Sequence, residues 1–369
     1  MQTEAGKSMD INRIIMIIFA FGAIIGGIDY IIGNKWGYGE EMEHAVKLMP
    51  ASALGMVGII AMTPLIAVAA RIVIAPVFHL FGIDPGMAGG VLALDMGGYP
   101  LAMELAEDQL IGAYSGILVG CIFGCCLVFA LPVGMAMIEK DTERDFLQGV
   151  IIAIIAMSAG LLVGGLVCGI PAGRLIYQSI PVFLCSLLMI VGLIRFPGKM
   201  IAGFQKFTAG LQFVIRLGMV VAVVLYLFGI ETEYITPITE GMSTVVNITI
   251  VMMGSLPLAK LLQTLLRKPL NALGGRAGLD ETACTALLLA LVSSVPVFAM
   301  LDRMDRRGRV VVSAFTIDCA AILGAHLAYT AANAPEMSAA LLACKLTAGI
   351  LGVVLALIFT RNGAKDGER

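Results

Sequence analysis

The sequence has few charged residues: Asp, Glu, Lys and Arg make up only 14% of its 369 residues, and it contains three histidines and one tryptophan. It also has no long polar stretch that could form a soluble domain. With 59% hydrophobic residues and a mean hydropathy of +0.96, the chain is far too apolar for a soluble globular protein. We therefore predict an all-α polytopic membrane protein that forms a single membrane domain over residues 1–369.

The sequence also lacks the signatures of several other protein classes. A formal net charge of −2, without a long basic run, gives no reason to expect nucleic-acid binding. No GxGxxG, Walker, GxSxG or HExxH pattern is present, so we predict neither an enzyme nor a cofactor. The cysteines lie in apolar segments without CxxC spacing, which favours buried thiols over disulfides or a metal site. They are Cys121, Cys125, Cys126, Cys168, Cys185, Cys284, Cys319 and Cys344.

About eleven apolar segments are long enough to cross, or nearly cross, a bilayer. The predicted fold is therefore a bundle of about 9–11 transmembrane segments, some of them interrupted or re-entrant. The segments lie at about 11–32, 51–75, 84–103, 110–138, 148–171, 177–194, 207–230, 241–266, 280–301, 309–332 and 337–360.

One of these segments contains the stretch LDMGGYP, residues 94–100. An ionisable side chain near the bilayer centre costs roughly 2.5–3.5 kcal/mol on insertion scales, so Asp95 is expected to face protein or water. Gly97, Gly98 and Pro100 weaken the helix beside it and free backbone groups that must line a cavity at this depth. A carboxylate beside a broken helix predicts a cation-binding site, with a structural helix-capping aspartate as the alternative.

A weak internal similarity relates this segment to a second one. Pro100 matches Pro296 and Gly112 matches Gly308 without a gap. Both segments have a helix breaker near the middle of a short apolar run. Paired interrupted segments in two halves of a chain point to the binding site of a transporter.

The distribution of basic residues indicates how the two halves are oriented. If both interrupted segments are re-entrant, the basic runs near 267–276 and 303–309 fall on the cytoplasmic side, as the positive-inside rule requires. An odd number of crossings between the copies then inverts them. We therefore predict two inverted repeats, at about 11–171 and 207–360, joined by a linker span at about 177–194.

Further polar residues in the apolar segments are candidates for the same site. Tyr99 could offer its ring face to an ammonium group, or act as an interfacial anchor. Ser293 and Ser294 would form the opposing tip, where their hydroxyls suit an alcohol or simply bond to helix carbonyls. His44 lies near a segment end, where a solvated side chain suffices.

Asp318 and Lys345 form a second predicted group. Counted along two consecutive antiparallel segments, their depths differ by roughly 6 Å, so a buried ion pair with a coupling or purely structural role is expected. His326 lies eight residues beyond Asp318, on much the same helix face. It could shuttle protons or bind substrate, or be an ordinary packing residue.

Several stretches together resemble one known family: LALDMGGYPLAMELA, SSVPVFAMLDRMDRRGRVVVSAF, GAHLAYTAA and ACKLTAG. They are similar to the ethanolamine-utilisation membrane proteins, EutH, over nearly the whole chain. The resemblance implies a multi-spanning bacterial inner-membrane permease or facilitator for ethanolamine. It also implies that Asp95, Gly97, Gly98, Pro296, His326 and Lys345 occupy family motif positions.

The chain departs from the family pattern at two places. It has Gly324, Ala325 and His326 where the family commonly reads Gly-Asp-His, and Ser293 and Ser294 where the family reads Asn-Asn. Substrate or coupling could therefore differ. The alternatives to an ethanolamine permease are a proton- or sodium-coupled transporter of another small polar solute, and a membrane sensor or scaffold. A homo-oligomer is also compatible with the sequence.

Overall fold

The computed structural model describes residues 2–92 and 95–361, with side chains from residue 13 onward. Within these ranges the regular structure is helical, which confirms the predicted all-α polytopic fold. The helices are α1 (Gln2–Ile31), α2 (Tyr38–Val73), α3 (Ala75–Leu80), α4 (Met87–Val91), α5 (Gly98–Leu105), α6 (Gln109–Met137), α7 (Lys140–Val167), α8 (Ala172–Gln178), α9 (Ile180–Arg195), α10 (Pro197–Phe228), α11 (Ile238–Arg276), α12 (Glu281–Ala290), α13 (Val295–Phe298), α14 (Arg306–Cys319), α15 (Ala325–Asn333) and α16 (Ser338–Phe359).

Among the described residues, 7 helices are long and apolar enough to cross a membrane. The helices α8 and α9, bent by 51° relative to each other, pass the same test of length and hydropathy as a pair. The helices α14 and α15, of 14 and 9 residues, are about 21 and about 14 Å long and together match the ~30 Å hydrocarbon core. We interpret them as one more span, broken at residues 320–324.

Helix α2 begins at Tyr38, well before the apolar segment predicted at 51–75. Its first turn contains Glu40 and Glu41, which favour a helix start because they face the positive end of the helix dipole. The helix therefore extends beyond the apolar stretch, and hydropathy alone places its start too late.

The segment around Asp95 is a helical hairpin, which we call the first hairpin (residues 84–108). Its arms α4 and α5 are so close that a Cβ built on Gly89 would lie 2.6 Å from the Cα of Ala102. At its base, the Asp84 carboxylate accepts hydrogen bonds from the backbone N–H groups of Gly86 (2.8 Å), Glu107 (3.3 Å) and Asp108 (2.8 Å). The chain therefore enters and leaves on the same face, as expected for a re-entrant segment.

The second hairpin (residues 280–305) consists of α12, α13 and the short turn Leu301–Arg303. Its two ends also meet, because a Cβ built on Gly308 would lie 3.2 Å from the Cβ of Ala283. Its tip is attached to the break between α14 and α15. There the N–H groups of Ala321 and Leu323 donate to the carbonyl oxygens of Ala290 (3.1 Å) and Leu291 (2.8 Å).

The two hairpin bases lie at opposite ends of α7, a helix of 28 residues that is about 42 Å long. At its start, the Glu139 N–H donates to Asp302 of the second hairpin (3.1 Å). Beyond its end, the Gln178 amide oxygen accepts from the Asp84 N–H of the first hairpin (2.7 Å). The hairpins therefore enter the bundle from opposite sides, as inverted repeats would require. The repeats at 11–171 and 207–360 and the linker span at 177–194 stay a prediction.

Helix α6 forms the centre of the bundle. Residues Tyr114–Gly124 are all buried and have π-helical hydrogen bonding, a local geometry that is frequent at functional sites. The tip of the first hairpin packs against this stretch.

Candidate binding site at the hairpin tips

Asp95 lies in the break of the first hairpin, directly after residues 93–94, which are outside the described ranges. Asp95 has φ +50°, in the left-handed region that Asp and Asn adopt more readily than most residues. Gly97 ends the short turn that follows, and Gly98 begins α5. Pro100 therefore lies in the first turn of a helix, where the backbone N–H groups have no acceptor within the helix, so proline is tolerated there. The sequence correctly indicates a break, but places it in the Gly-Gly-Pro run after Asp95.

Glycines hold this tip against its neighbours. A Cβ on Gly97 would lie 2.8 Å from Ile59 of α2, and a Cβ on Gly120 of α6 would lie 2.8 Å from the Asp95 carbonyl oxygen. Gly97 and Gly98, both predicted as binding residues, are buried in this packing and do not line a cavity. Their predicted role in binding stays a prediction.

A cavity of about 260 Å³ lies where the two hairpin tips meet. It is smaller than the about 300–1,000 Å³ typical of pockets for drug-sized ligands, so it suits a small solute. The structure brings Asp95 of the first tip together with Ser293 and Ser294 of the second, as predicted. The remaining walls come from α2, α6, α11 and the α14–α15 break; the lining includes His44, Ser52, Met96, Cys125, Phe129, Met252, Leu256, Val292, Ala320, Ala321 and His326.

Asp95 and His326 face each other in this cavity. His326 Nε2 lies 3.3 Å from Asp95 Oδ1, and the side chains are 4% and 23% exposed. Asp95 Oδ1 is buried and has no hydrogen bond within the described structure. His326 Nδ1 lies 3.1 Å from the Ala320 carbonyl oxygen. Because a carbonyl only accepts, Nδ1 carries a hydrogen and Nε2 is the nitrogen that meets Asp95.

A cysteine completes this cluster. The Asp95 carboxylate, the Cys121 thiol and the His326 imidazole each offer an atom within 4.8 Å of the others. These are ligand types that zinc accepts, but structural zinc sites have four protein ligands. Asp95 and His326 are also already at contact distance, so we assign no metal, and the expected absence of one stays a prediction. Cys121 has no distinguishing signal in the sequence, where it is one small residue in an apolar run.

Asp318 and Lys345 lie behind the cavity wall and are both fully buried. The Lys345 ammonium donates to the backbone oxygens of Asp318 (3.1 Å) and Ala320 (3.2 Å). Both Asp318 carboxylate oxygens have no hydrogen-bond partner among the described residues. The ammonium thus contacts carbonyl groups freed by the helix break, and the predicted side-chain ion pair is not formed in this structure.

Tyr99, another predicted binding residue, does not line the cavity. Its ring packs edge-to-face on Tyr329, with 6.3 Å between centroids, and its hydroxyl lies 3.4 Å from the Asn333 carbonyl oxygen. These contacts lie one turn beyond Asp95 and His326, towards the base of the first hairpin. The tyrosine pair therefore lies between the cavity and the base of the first hairpin.

Most of the cavity-lining residues that could not be predicted from the sequence lie on continuous helices. Ser52, Cys125, Phe129 and Met252 line the cavity, but each is an ordinary residue of its helix and no sequence pattern distinguishes it. His44, expected to be solvated, is half exposed and also lines the cavity. Only the fold brings these side chains to the tips.

Two re-entrant hairpins whose tips meet at a mostly apolar cavity with a few polar side chains form an architecture used by secondary transporters. The chain is a multi-pass membrane protein with at least seven apolar spans among its described residues. It belongs to the family of the ethanolamine utilisation protein EutH, whose family model matches residues 11–359. The predicted resemblance is thereby confirmed.

Relatives from three bacteria match the chain over nearly its full length. A "Probable ethanolamine permease EutH" of Listeria monocytogenes is 34% identical over 362 residues, covering 98% of this chain and 97% of the relative. A protein of Escherichia coli with the same name is 32% identical over 390 residues, covering 95% and 96%. The "Uncharacterized protein YxeR" of Bacillus subtilis is 33% identical over 364 residues, covering 98% of each chain. No solved structure matches the chain.

Proposed function

We propose that the protein is a permease for ethanolamine, or a closely related small amino alcohol, in a bacterial inner membrane. The observation that carries the proposal is the buried Asp95 oxygen, which accepts no hydrogen bond among the described residues, in a small cavity that Ser293 and Ser294 also line. Two of the relatives are named probable ethanolamine permeases, which agrees with this chemistry. No chemical conversion of the substrate is proposed.

The substrate amine binds at Asp95. A primary aliphatic amine resembles the lysine side chain, whose pKa is about 10.4, so it is mostly cationic at neutral pH. A carboxylate in a protein interior attracts such a cation more strongly than one in water, because the surrounding dielectric constant is lower. Asp95 is thus the main determinant of affinity for the ammonium group.

The hydroxyl end of the substrate binds at the opposite tip. Ser293 and Ser294 can each donate and accept a hydrogen bond, and both lie on the second hairpin across the cavity from Asp95. One substrate molecule therefore bridges the two hairpins and couples their positions.

The cavity opens near His44, at the same end of the bundle as the base of the second hairpin. That end contains the basic residues Lys140, Arg144, Arg195, Arg267, Arg276, Arg303, Arg306 and Arg309, so by the positive-inside rule it is cytoplasmic. The Tyr99–Tyr329 pair closes the other side. Transport then requires a second state in which this pair separates and the mouth near His44 closes.

The coupling ion that fits this site is the proton. The His326 Nε2 atom faces Asp95 at 3.3 Å, so a protonated imidazole can neutralise the carboxylate when substrate is absent. An arriving ammonium group replaces the imidazolium as the partner of Asp95, and the proton leaves His326. The site then keeps the same charge with and without substrate.

The test is uptake of labelled ethanolamine into proteoliposomes, comparing the wild type with Asp95→Asn. Asn is suited to the same left-handed backbone conformation, so the variant removes the charge without adding strain at the tip. The external pH is kept acidic, because the neutral amine leaks through lipid. We expect protein-dependent uptake in the wild type and its loss in Asp95→Asn.

The matched control is Asp141→Asn, the same chemical change at an exposed position in the first turn of α7. It should transport like the wild type. Wild-type uptake in Asp95→Asn would reject the role of this residue. A wild type that takes up no ethanolamine under any imposed gradient would reject the proposed substrate.

A further inference from the structure

The break between α14 and α15 leaves carbonyl groups without helical partners. α14 ends at Cys319, and the next helix starts at Ala325. Ala321, between them, has φ +57° and turns the chain away from the helical path. The last carbonyls of a helix lack intrahelical partners and form its negative end. In broken-helix transporters, such carbonyls coordinate a coupling sodium ion.

In this protein the ammonium group of Lys345 is located at that position. Its Nζ atom lies 3.1 Å from the Asp318 carbonyl oxygen and 3.2 Å from the Ala320 carbonyl oxygen. The side chain comes from α16 and is fully buried. The Asp318 carboxylate is also fully buried and has no hydrogen-bond partner in the described structure, but it forms no ion pair with this ammonium group. The two carbonyl oxygens at the break are ligands of the type that a hard cation prefers.

This group is connected to the cavity through one shared atom. The Ala320 carbonyl oxygen accepts from the Lys345 ammonium (3.2 Å) and also from His326 Nδ1 (3.1 Å). Occupancy of the break by a cation therefore affects the acceptor that orients His326, which in turn faces Asp95.

We propose that Lys345 fills a monovalent-cation site at the α14–α15 break with its own ammonium group, so that the protein operates without sodium. The consequence for transport rests on the proposed permease function. The site itself, which consists of the Asp318 and Ala320 carbonyl oxygens, does not depend on that function. Removing the lysine side chain exposes this site to a free cation of similar size.

The transport test compares wild type and Lys345→Ala in proteoliposomes that contain sodium, potassium or the bulky cation N-methylglucamine. Wild-type uptake of ethanolamine should be equal in the three media. Uptake by Lys345→Ala in N-methylglucamine should fall about tenfold or more, the usual effect of losing a group that orients a binding residue. Sodium should restore it with a saturable dependence on concentration.

The binding test needs no transport: the melting temperature of the detergent-solubilised protein is followed as sodium replaces N-methylglucamine. We expect sodium to stabilise Lys345→Ala and to leave the wild type unchanged. The matched control is Lys260→Ala, because Lys260 also donates to a backbone carbonyl, that of Gly37 (2.9 Å), but away from the helix break. It should show no response to sodium.

The outcomes separate this inference from the proposed function. Saturable dependence of wild-type uptake on sodium would overturn it, as would a Lys345→Ala variant that responds to sodium no more than Lys260→Ala in both tests. If Lys345→Ala folds only when purified in sodium, the inference is supported; misfolding in every cation counts against it. A wild type without ethanolamine uptake affects the proposed function alone, since the melting experiment still tests the site.

Discussion

The residues at the cavity differ in how well the sequence alone predicts that they belong to the site. Asp95 stands out because a carboxylate in an apolar segment is costly and must have a partner or a function. His326 and Lys345 stand out for the same reason. The serines are weaker signals, because a hydroxyl in a membrane helix is commonly bonded to the preceding turn. Their place on the cavity wall depends on the second hairpin, which brings residues 293–294 opposite Asp95.

The two serines give a prediction about specificity. Replacing both, Ser293→Ala together with Ser294→Ala, removes the hydroxyl partners but leaves Asp95 in place. One net hydrogen bond contributes about 0.5–1.5 kcal/mol, so the KM for ethanolamine should rise roughly two- to tenfold. Ethylamine, which has the ammonium group but no hydroxyl, should compete equally well in both proteins. Competition assays with ethanolamine and ethylamine test this prediction. An equal loss of affinity for the two amines in the double variant would contradict it.

Ala321 gives a prediction about backbone strain. A left-handed conformation costs an L-residue roughly 1–2 kcal/mol, and glycine adopts it freely at a loss of about 0.5–1 kcal/mol in unfolded-state entropy. Ala321→Gly should therefore leave the melting temperature unchanged or raise it by about 1–2 °C. Ala209→Gly, at an exposed position inside α10, should lower it. A larger decrease of the melting temperature for Ala321→Gly than for Ala209→Gly would contradict the proposed backbone strain at Ala321.

Secondary-structure elements were partly predictable from hydropathy. The long apolar helices and the two interrupted segments follow from it, since bilayer thickness sets the length of a span. The break at residues 320–324 does not, because no proline lies there and Gly324 is a single glycine in an apolar run. It is fixed by tertiary hydrogen bonds from Ala321 and Leu323 to the tip of the second hairpin. These bonds join residues that are far apart in the sequence, so they cannot be predicted from the sequence of one segment alone.

The first hairpin is fixed at both ends. At the base, Asp84 accepts three backbone N–H groups, and Arg174 pairs with Asp108 at 2.6 Å. Burial by itself raises the pKa of the Asp108 carboxyl, but the Leu110 N–H and the Arg174 guanidinium outweigh it and hold the pKa below its usual value. Because the folded-state pKa is lowered, this contribution to stability is present above the unfolded pKa and is lost as the pH falls through the folded value.

At the tip, glycines of α6 permit the close approach, which leads to a prediction. A methyl group on Gly116 would collide with Tyr99 and come within 3.1 Å of the Ala102 Cβ. Gly116→Ala should displace the hairpin and with it Asp95, reducing uptake about tenfold or more, since small misplacements of a binding group are costly. Gly210→Ala, where a Cβ meets nothing within 4 Å, is the control and should transport normally. Equal uptake by the two variants would contradict the proposed packing role.

At the scale of the whole molecule, the two hairpins enter the bundle from opposite ends. The regions around their bases should therefore be accessible from opposite sides of the membrane. Cysteine labelling with a membrane-impermeant maleimide tests this. Ser52→Cys, at the cavity, should react from the cytoplasmic side and be protected by ethanolamine, whereas Glu104→Cys, near the base of the first hairpin, should react only from the opposite side. The wild type provides the background of its 8 native cysteines. Labelling of both positions from one side would contradict the topology.

The tyrosine pair beyond Asp95 has a consequence for the membrane potential of the cell. The proposed closure of the cavity by the Tyr99–Tyr329 pair, with the mouth near His44 open, predicts that no water-filled path joins the two faces. The protein then conducts no continuous ionic current and does not dissipate the membrane potential, even when it is abundant and no amine is present. Its flux is limited by one conformational cycle per molecule carried, so electrical recordings should detect no unitary openings.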